Sequence, residues 1–189
     1  MKLVLASKSP RRREILSMVT DNFTVKVSGA DETIDENLDP SKIPEYLSKI
    51  KAEAIPFEDD EVVIGSDTIV LYNNTILGKP KDKNEAISML KMLSGTEHEV
   101  ISGITVLSKE KTFSDSVTTV VKMRELGEGE ILAYVEKFNP TDKAGAYGIQ
   151  EMAGAFVEKI DGDFYNVVGL PLCRLVTILK EEFQIDLIK

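Results

Sequence analysis

The order of apolar and polar positions along the chain predicts a mixture of strands and helices. Apolar residues three and four positions apart are typical of helices, and short alternating or continuous apolar runs are typical of strands. By these patterns the helices cover residues 10–19, 41–55, 82–93, 128–138 and 171–183. The strands cover residues 2–6, 23–27, 61–71, 99–107 and 112–123, and a hairpin over 154–168 turns at Asp161-Gly162-Asp163. Strands and helices are mixed throughout, so we expect the α/β class with some antiparallel pairs in the sheet.

Composition is that of an ordinary folded protein. The chain has 189 residues, 42% of them hydrophobic and 29% charged, which suits one domain or two small lobes that share an interface. No apolar run reaches the roughly 18 residues that a membrane helix needs, and residues 1–6 lead directly into a strand. We therefore expect no membrane span, no signal peptide and a cytosolic location. One cysteine, Cys173, and one histidine, His98, exclude an internal disulfide and a zinc cluster of several Cys and His ligands.

The charge balance narrows the class of ligand. The chain has 23 Lys and Arg against 32 Asp and Glu, a formal net charge of −9. Non-specific binding to nucleic acid needs a basic surface that displaces counterions, so this charge disfavours a nucleic-acid-binding protein. A small polyanionic ligand is still compatible with the charge, provided that the few cations are gathered in one pocket.

Residues Ser7–Arg12 combine two hydroxyls and two arginines at a predicted strand–helix junction. Ser9 is a good N-cap, and Pro10 suits the first helical position. The free N–H groups and the dipole at a helix N-terminus favour an anion, and Arg11 and Arg12 can each bind a phosphate through two charge-assisted hydrogen bonds. A solvated basic run at the start of a surface helix explains the same residues, and the sequence leaves both interpretations open.

Residues Gly65–Thr68 place a carboxylate inside the most apolar predicted strand. Burial of Asp67 is costly unless the group is paired, binds a metal or lies at the edge of a cleft, and the Thr68 hydroxyl can contact a ligand. An Asp that caps a turn at a strand end is the alternative, which is weaker because the apolar run continues beyond it. An acidic stretch with Asp31 and Glu32 is either solvated or joins Asp67 around a divalent ion.

Two further segments carry less specific signals. In Gly78-Lys79-Pro80 the proline holds Lys79 in an extended backbone and so fixes its direction, although an ordinary turn with an exposed lysine explains this motif better when it is taken alone. In Asp142–Gln150 the small residues indicate a close backbone approach, and the Gln150 amide can read a base edge. A tight loop packed on a neighbouring lobe is the better explanation of that segment by itself. Taken together, the motifs suit a nucleoside triphosphate with a metal.

Six ordered motifs resemble those of the Maf family, nearly from end to end of the chain. They are Ser-Lys-Ser-Pro-Arg-Arg at 7–12, Ser-Asp-Thr at 66–68, Gly-Lys-Pro at 78–80, Leu-Ser-Gly at 93–95 with His98, Asp-Lys-Ala-Gly-Ala-Tyr-Gly-Ile-Gln at 142–150 and Val-Gly-Leu-Pro at 168–171. The long motif resembles the branch that acts on dTTP and UTP rather than the branch that acts on 7-methyl-GTP. The resemblance implies an elongated mixed sheet flanked by helices, similar to that of inosine triphosphatases. It also implies that residues 1–189 form one domain with an active-site cleft between two lobes.

The resemblance implies a reaction and a set of site residues. The reaction is hydrolysis of dTTP and UTP to the monophosphate and pyrophosphate with a divalent metal, Mg²⁺ or Mn²⁺, often in a homodimer. Asp67 is expected to accept the proton of the attacking water, and Glu32 and Asp67 are expected to bind the metal. The triphosphate is expected to contact Ser7, Arg11, Arg12, Lys51 and Lys79. The base is expected to be selected by Arg11, Thr68 and Gln150.

Two positions depart from the family pattern. Ser66 replaces the usual alanine, and we expect no effect; Glu151 replaces the glycine that often follows the glutamine, and a negative charge beside the base pocket could alter specificity. A second class of function is a regulatory protein that binds a nucleotide or a partner without hydrolysis, which fits the family's link with septum formation. Such a protein has no need of Asp67 in a cleft, and its nucleotide would survive incubation.

Overall fold

The computed structural model describes residues 1–27, 29–34 and 37–188, which form a mixed seven-stranded sheet flanked by helices. The strands are β1 Lys2–Leu5, β2 Phe23–Val25, β3 Glu61–Tyr72, β4 Thr75–Leu77, β5 Glu97–Leu107, β6 Thr112–Met123 and β7 Val157–Asp161. The α-helices are α1 Pro10–Ser17, α2 Ile43–Glu53, α3 Lys83–Leu93, α4 Glu128–Phe138, α5 Phe164–Val168 and α6 Leu172–Phe183. Short 3-10 helices cover Pro40–Lys42, Ala144–Ala146 and Met152–Phe156. The predicted α/β class is confirmed.

The sheet has the strand order β2-β1-β3-β5-β6-β7, and β4 pairs with β3. Strand β1 is parallel to β2 and to β3, whereas β3 with β4 and β6 with β7 are antiparallel. Leu5, the last residue of β1, lies opposite Ile64, and the Ala6 N–H donates to the Ile64 carbonyl at 2.8 Å. Because the two strands run in the same direction, the turn at Ser7 and the segment Gly65–Thr68 follow at the same end of the pair.

The chain divides into two compact units. The first unit comprises Met1–Thr68, Ser102–Val117 and Gly169–Lys189, and the second comprises Ile69–Ile101 and Thr118–Val168. One core cluster of the first unit contains Val4, Ala6, Ala52, Ile55 and Val63. The core of the second unit includes Leu90, Leu93, Ile131, Tyr134 and Phe156. The expectation of one domain with a shared cleft stays a prediction.

Local sequence signals explain where several elements begin and end. The turn after β3 has Asn73 and Asn74 at φ 47° and 62°, a left-handed backbone that asparagine tolerates. Asp82 caps α3, since its Oδ1 accepts the Glu85 N–H at 2.9 Å. Gly95 follows that helix at φ 69°, the left-handed backbone with which glycine commonly ends a helix. Among the described residues, no helix is long and apolar enough to cross a bilayer.

The predicted hairpin over 154–168 is wrong. Only Val157–Asp161 forms a strand, and Phe164–Val168 form helix α5 instead of a second strand. The reason is Asp163, whose Oδ1 accepts the N–H groups of Tyr165 and Asn166 at 2.7 and 3.3 Å and so begins a helix. An aspartate after a glycine is typical of both a hairpin turn and a helix cap, and the sequence pattern alone does not separate the two.

Candidate active site

Asp67 takes its position from the close packing of α2 on β3. A Cβ atom on Gly65 would lie 2.2 Å from the Ser48 carbonyl oxygen and 2.9 Å from the Ala52 Cβ, so only glycine permits this approach. Gly65 and Asp67 are two residues apart and share one face of the strand, while Ser48, Lys51 and Ala52 share one face of the helix. The contact of α2 with Gly65 therefore sets Lys51 against Asp67.

Lys51 lies between two carboxylates. Its Nζ is 2.5 Å from Asp67 Oδ1 and 3.2 Å from Glu32 Oε2. The side chains of Lys51 and Asp67 are only 14% and 13% exposed, whereas Glu32 is 55% exposed. A partly buried carboxylate in an apolar strand needs a partner of opposite charge, and Lys51 supplies it. The structure thus brings together three residues that the sequence assigned to the site.

The two carboxylates fit a hard divalent cation. Their oxygens converge on one positive charge, the Lys51 ammonium, and carboxylate oxygens are the ligands that Mg²⁺ prefers in proteins. Within residues 1–27, 29–34 and 37–188, no group of three or more His, Cys, Asp and Glu side chains forms a metal cage. Mg²⁺ is usually held by one or two carboxylates, substrate phosphates and water, so a pair such as Glu32 and Asp67 is sufficient.

Arg12 connects three separate segments of the first unit. Its Nε donates to the Gly169 carbonyl at 2.8 Å, its Nη1 to Ser7 Oγ at 3.4 Å and its Nη2 to Thr68 Oγ1 at 3.2 Å. Burial lowers the pKa of the Arg12 guanidinium, and the nearby Asp67 charge opposes that shift. In the structure Arg12 thus joins the turn at Ser7, strand β3 and the Gly169 segment. Its predicted contact with phosphate stays a prediction.

The turn before α1 has the local structure that its sequence predicts. Ser9 is the N-cap, with its Oγ accepting the Arg12 N–H at 3.5 Å, and Pro10 is the first helical residue. Ser7 is buried, and its Oγ accepts the Ser9 N–H at 3.2 Å. Arg11 lies half-buried in the first helical turn. The contact of Ser7 and Arg11 with phosphate stays a prediction.

Two groups of this site carried no assigned role in the sequence, namely Ser102 and the Gly169 carbonyl. Ser102 Oγ is 2.8 Å from Thr68 Oγ1, and the Gly169 carbonyl accepts from Thr68 and Ser66 at 3.3 and 3.4 Å. Gly169 has φ +129°, a backbone that favours glycine. Gly169 could have been noticed in the sequence, because it lies in the Val-Gly-Leu-Pro motif at 168–171. Ser102 could not, because a serine inside a strand belongs to no motif. Ser66 buries a hydroxyl that has this carbonyl as its partner, which explains how serine is accommodated at the position.

Lys79 and Gln150 belong to the second unit. Lys79 is exposed just after β4, and the carbonyl of the preceding Gly78 accepts the Gly145 N–H at 3.2 Å. Gly145 has φ +67°, and a Cβ there would lie 2.9 Å from Val70 Cγ2, so this position requires glycine. Gln150 is exposed. The predicted close backbone approach in the 142–150 segment is therefore present at Gly145.

Comparison with known proteins gives the family. The family model described as "Maf-like protein" matches residues 2–182. The dTTP/UTP pyrophosphatase of Alkaliphilus metalliredigens is 49% identical over 191 residues, with 99% of each chain covered. The proteins of the same name from Bacillus cereus and Lachnoclostridium phytofermentans are each 48% identical, with 98% and 100% of this chain and 97% and 98% of theirs covered. This chain belongs to the Maf family.

Among solved structures, the Ham1 protein of Staphylococcus aureus matches 65% of this chain and 72% of its own, with 14% identity and a TM-score of 0.48. A likeness this weak adds nothing to the assignment.

Proposed function

We propose that this chain hydrolyses dTTP and UTP to the monophosphate and pyrophosphate, with a divalent metal and with Asp67 as the general base. That it is a nucleoside triphosphate pyrophosphatase follows from its membership of the Maf family and from relatives of that name that are 48–49% identical over nearly the whole chain. The observation that supports the finer proposal is the group of Asp67, Lys51 and Glu32, in which two carboxylates meet one cation.

In the proposed mechanism Asp67 accepts a proton from the water that attacks phosphorus. The contacts with Lys51 and the packing against α2 fix the direction of its carboxylate. When bound, a divalent cation held by Glu32 and Asp67 offsets the negative charge of the phosphates and of the leaving pyrophosphate. Lys51 and Arg12 lie in the same unit and supply positive charge that favours the transition state. The remaining phosphate ligands of the proposal are Ser7, Arg11 and Lys79.

The first test is product analysis with a panel of canonical and modified triphosphates in Mg²⁺ or Mn²⁺. We expect dTTP and UTP to give monophosphate and pyrophosphate while purine triphosphates are spared. Removal of the metal with a chelator should stop the reaction. A folded protein that binds nucleotide and leaves every triphosphate intact would contradict the proposal and favour a regulatory function.

The matched variant is Asp67→Asn, which keeps the size of the side chain and removes its ability to accept a proton. We expect turnover to fall by about 10²–10⁴-fold, the usual contribution of a general base. Thermal unfolding should show that the variant is folded. Normal rates in this variant would remove Asp67 from the mechanism.

Base selection is assigned in this proposal to Arg11, Thr68 and Gln150. Gln150→Ala removes an amide that can both donate and accept a hydrogen bond, so we expect a weaker preference for pyrimidine triphosphates. Ratios of kcat/KM for UTP and GTP measure this preference, and an unchanged ratio would count against the role of Gln150. A cytosolic location and a homodimer stay predictions, which cell fractionation and sedimentation would test.

A further inference from the structure

Glu151, which departs from the family glycine, pairs with a buried lysine. Its Oε1 lies 3.2 Å from Lys143 Nζ, and Lys143 is only 7% exposed. Asp142 also contacts this ammonium at 2.8 Å, but its own side chain is 60% exposed, compared with 30% for Glu151. A buried ammonium needs anionic partners. The charge of Glu151 is therefore directed at Lys143.

Glu151 also ends a turn that contains Gln150. The Glu151 N–H donates to the Gly148 carbonyl at 3.0 Å, which leaves Ile149 and Gln150 as the two central residues of a turn. The Tyr134 hydroxyl on α4 accepts the Gly148 N–H at 3.0 Å and donates to Glu151 Oε2 at 3.2 Å. One buried hydroxyl thus holds both ends of the turn.

Two further observations support a fixed turn. A Cβ on Gly148 would lie 2.8 Å from Lys143 Cε and 3.2 Å from Glu151 Cδ, so the glycine lets the ion pair close over the turn. Burial also raises the pKa of the Tyr134 hydroxyl, which keeps it protonated as a donor to Glu151. The exposed Gln150 side chain takes its direction from a backbone that these contacts define.

We propose that Glu151 is a positioning residue, which together with Tyr134 and Lys143 holds the Gly148–Glu151 turn so that Gln150 presents its amide to a pyrimidine base. This inference rests on the proposed function. It changes the expected effect of the departure from glycine: Glu151 acts on specificity through the orientation of Gln150, because its charge is already paired with Lys143.

The test compares Glu151→Ala, Gln150→Ala and the double variant by the ratio of kcat/KM for UTP to that for GTP. Loss of a hydrogen bond to the base should lower the ratio about tenfold in each single variant. The double variant should be no worse than Gln150→Ala, because Glu151 acts only through Gln150. An equal loss for all triphosphates, with an unchanged ratio, would overturn the proposal, and so would additive losses.

Tyr134→Phe removes the hydroxyl and preserves the ring, so it should lower the same ratio. The matched control is Glu136→Ala, a change on the same helix as Tyr134, α4. It breaks the exposed pair with Lys83 of α3 and should leave the ratio unchanged. A Tyr134→Phe protein with the normal ratio would contradict the proposal.

Amide hydrogen exchange tests the turn without any substrate. The Gly148 and Glu151 amides should exchange faster in Tyr134→Phe than in the unaltered protein. Absence of triphosphate turnover in the unaltered protein would refute the proposed function alone, and the exchange rates would still decide whether the turn is held. Unchanged exchange at both amides in the folded variant would refute the positioning role.

Discussion

Asp67, Lys143 and His98 are ionisable side chains that are mostly buried, and they differ in whether their partner is charged or neutral. Asp67 and Lys143 each contact a group of opposite charge. His98 is 3% exposed, and its Nε2 lies 2.7 Å from the Tyr147 hydroxyl, so its partner is neutral. Burial without a counter-charge lowers the pKa of His98 to about 4. A buried histidine of this kind is held in its neutral form.

The free energy of unfolding should therefore depend on pH through His98. Its folded pKa of about 4 lies below the unfolded value of 6.5, so between these values the unfolded chain binds more protons. This contribution is complete above pH 6.5 and is lost as the pH falls towards 4, with a total of about 3 kcal/mol. Denaturant unfolding of the unaltered protein and of His98→Gln across this range measures it. The prediction is contradicted if the unaltered protein and His98→Gln lose the same free energy of unfolding across this pH range.

The charged residues of the site were predictable one by one, whereas several of their partners were not. Asp67 is conspicuous because it interrupts an apolar strand, and Arg12 because it lies in the first turn of a predicted helix. Ser102 and the Gly169 carbonyl contact Thr68 through folding of distant segments. Every residue has a backbone carbonyl, so the sequence does not mark the one that accepts these bonds. A single buried serine belongs to no apolar pattern, so it is not marked either.

Asp67 is positioned by the packing of helix α2 on strands β3 and β5. Glycines on both strands allow the helix to approach the sheet closely. Besides Gly65, the β5 residue Gly103 has no room for a side chain, since a Cβ there would lie 2.0 Å from the Pro44 carbonyl oxygen. Ser48 Oγ on the helix is 2.8 Å from Thr105 Oγ1 on β5, a buried bond in the same contact. Helix and sheet thus meet by backbone approach and hydroxyl pairing.

Gly65→Ala should separate α2 from β3. The added methyl meets backbone at 2.2 Å, which must move, so we expect a loss of about 1–3 kcal/mol of stability. Turnover should also fall, because Lys51 moves away from Asp67. Gly129→Ala is the control, since a Cβ there has nothing within 4 Å; it should be neutral or slightly stabilising. Thermal unfolding and pyrophosphate release measure both effects, and a Gly65→Ala protein of normal stability would contradict the packing argument.

Long helices and strands were predicted well because their apolar pattern repeats several times along the element. Helix α4 at Glu128–Phe138 and strand β6 at Thr112–Met123 have the predicted bounds. Helix α5 has only five residues, too few to show a helical period, and a turn signal at Gly162-Asp163 suggested strands instead. Short elements are decided by side-chain caps and tertiary contacts.

The whole molecule is acidic, and its positive charges are mostly used in exposed ion pairs. Examples are Lys109 with Asp59, Lys91 with Glu128 and Lys83 with Glu136. Such pairs contribute little to stability because water and salt screen them. Lys51, by contrast, is only 14% exposed. The charge of Lys51 is therefore screened less by water and salt than the charges of these exposed pairs.

Binding of substrate with metal should raise the midpoint of thermal unfolding. The unaltered protein is used, with each nucleotide supplied as its non-hydrolysable analogue, because Asp67 is itself a proposed metal ligand and its replacement would weaken the binding that is measured. With dTTP at about 100 times its Kd, linkage gives about 2.7 kcal/mol, or roughly 5–10 °C for a chain of this length. ATP at the same concentration should give a smaller shift. Equal shifts with dTTP and ATP would contradict pyrimidine selection, and no shift with either would contradict binding.

The shared acceptor at Gly169 has a consequence for biosynthesis. Arg12 and Gly169 are 157 positions apart, and Ser66 and Thr68 donate to the same carbonyl. A nascent chain leaves the ribosome from its N-terminus, so all three donors emerge long before their acceptor is translated. A chain that is truncated upstream of Gly169 therefore lacks the acceptor that Arg12, Ser66 and Thr68 share. The arrangement of Arg12, Ser66 and Thr68 around this carbonyl is therefore complete only after the Gly169 segment has been synthesised and has folded back onto β3.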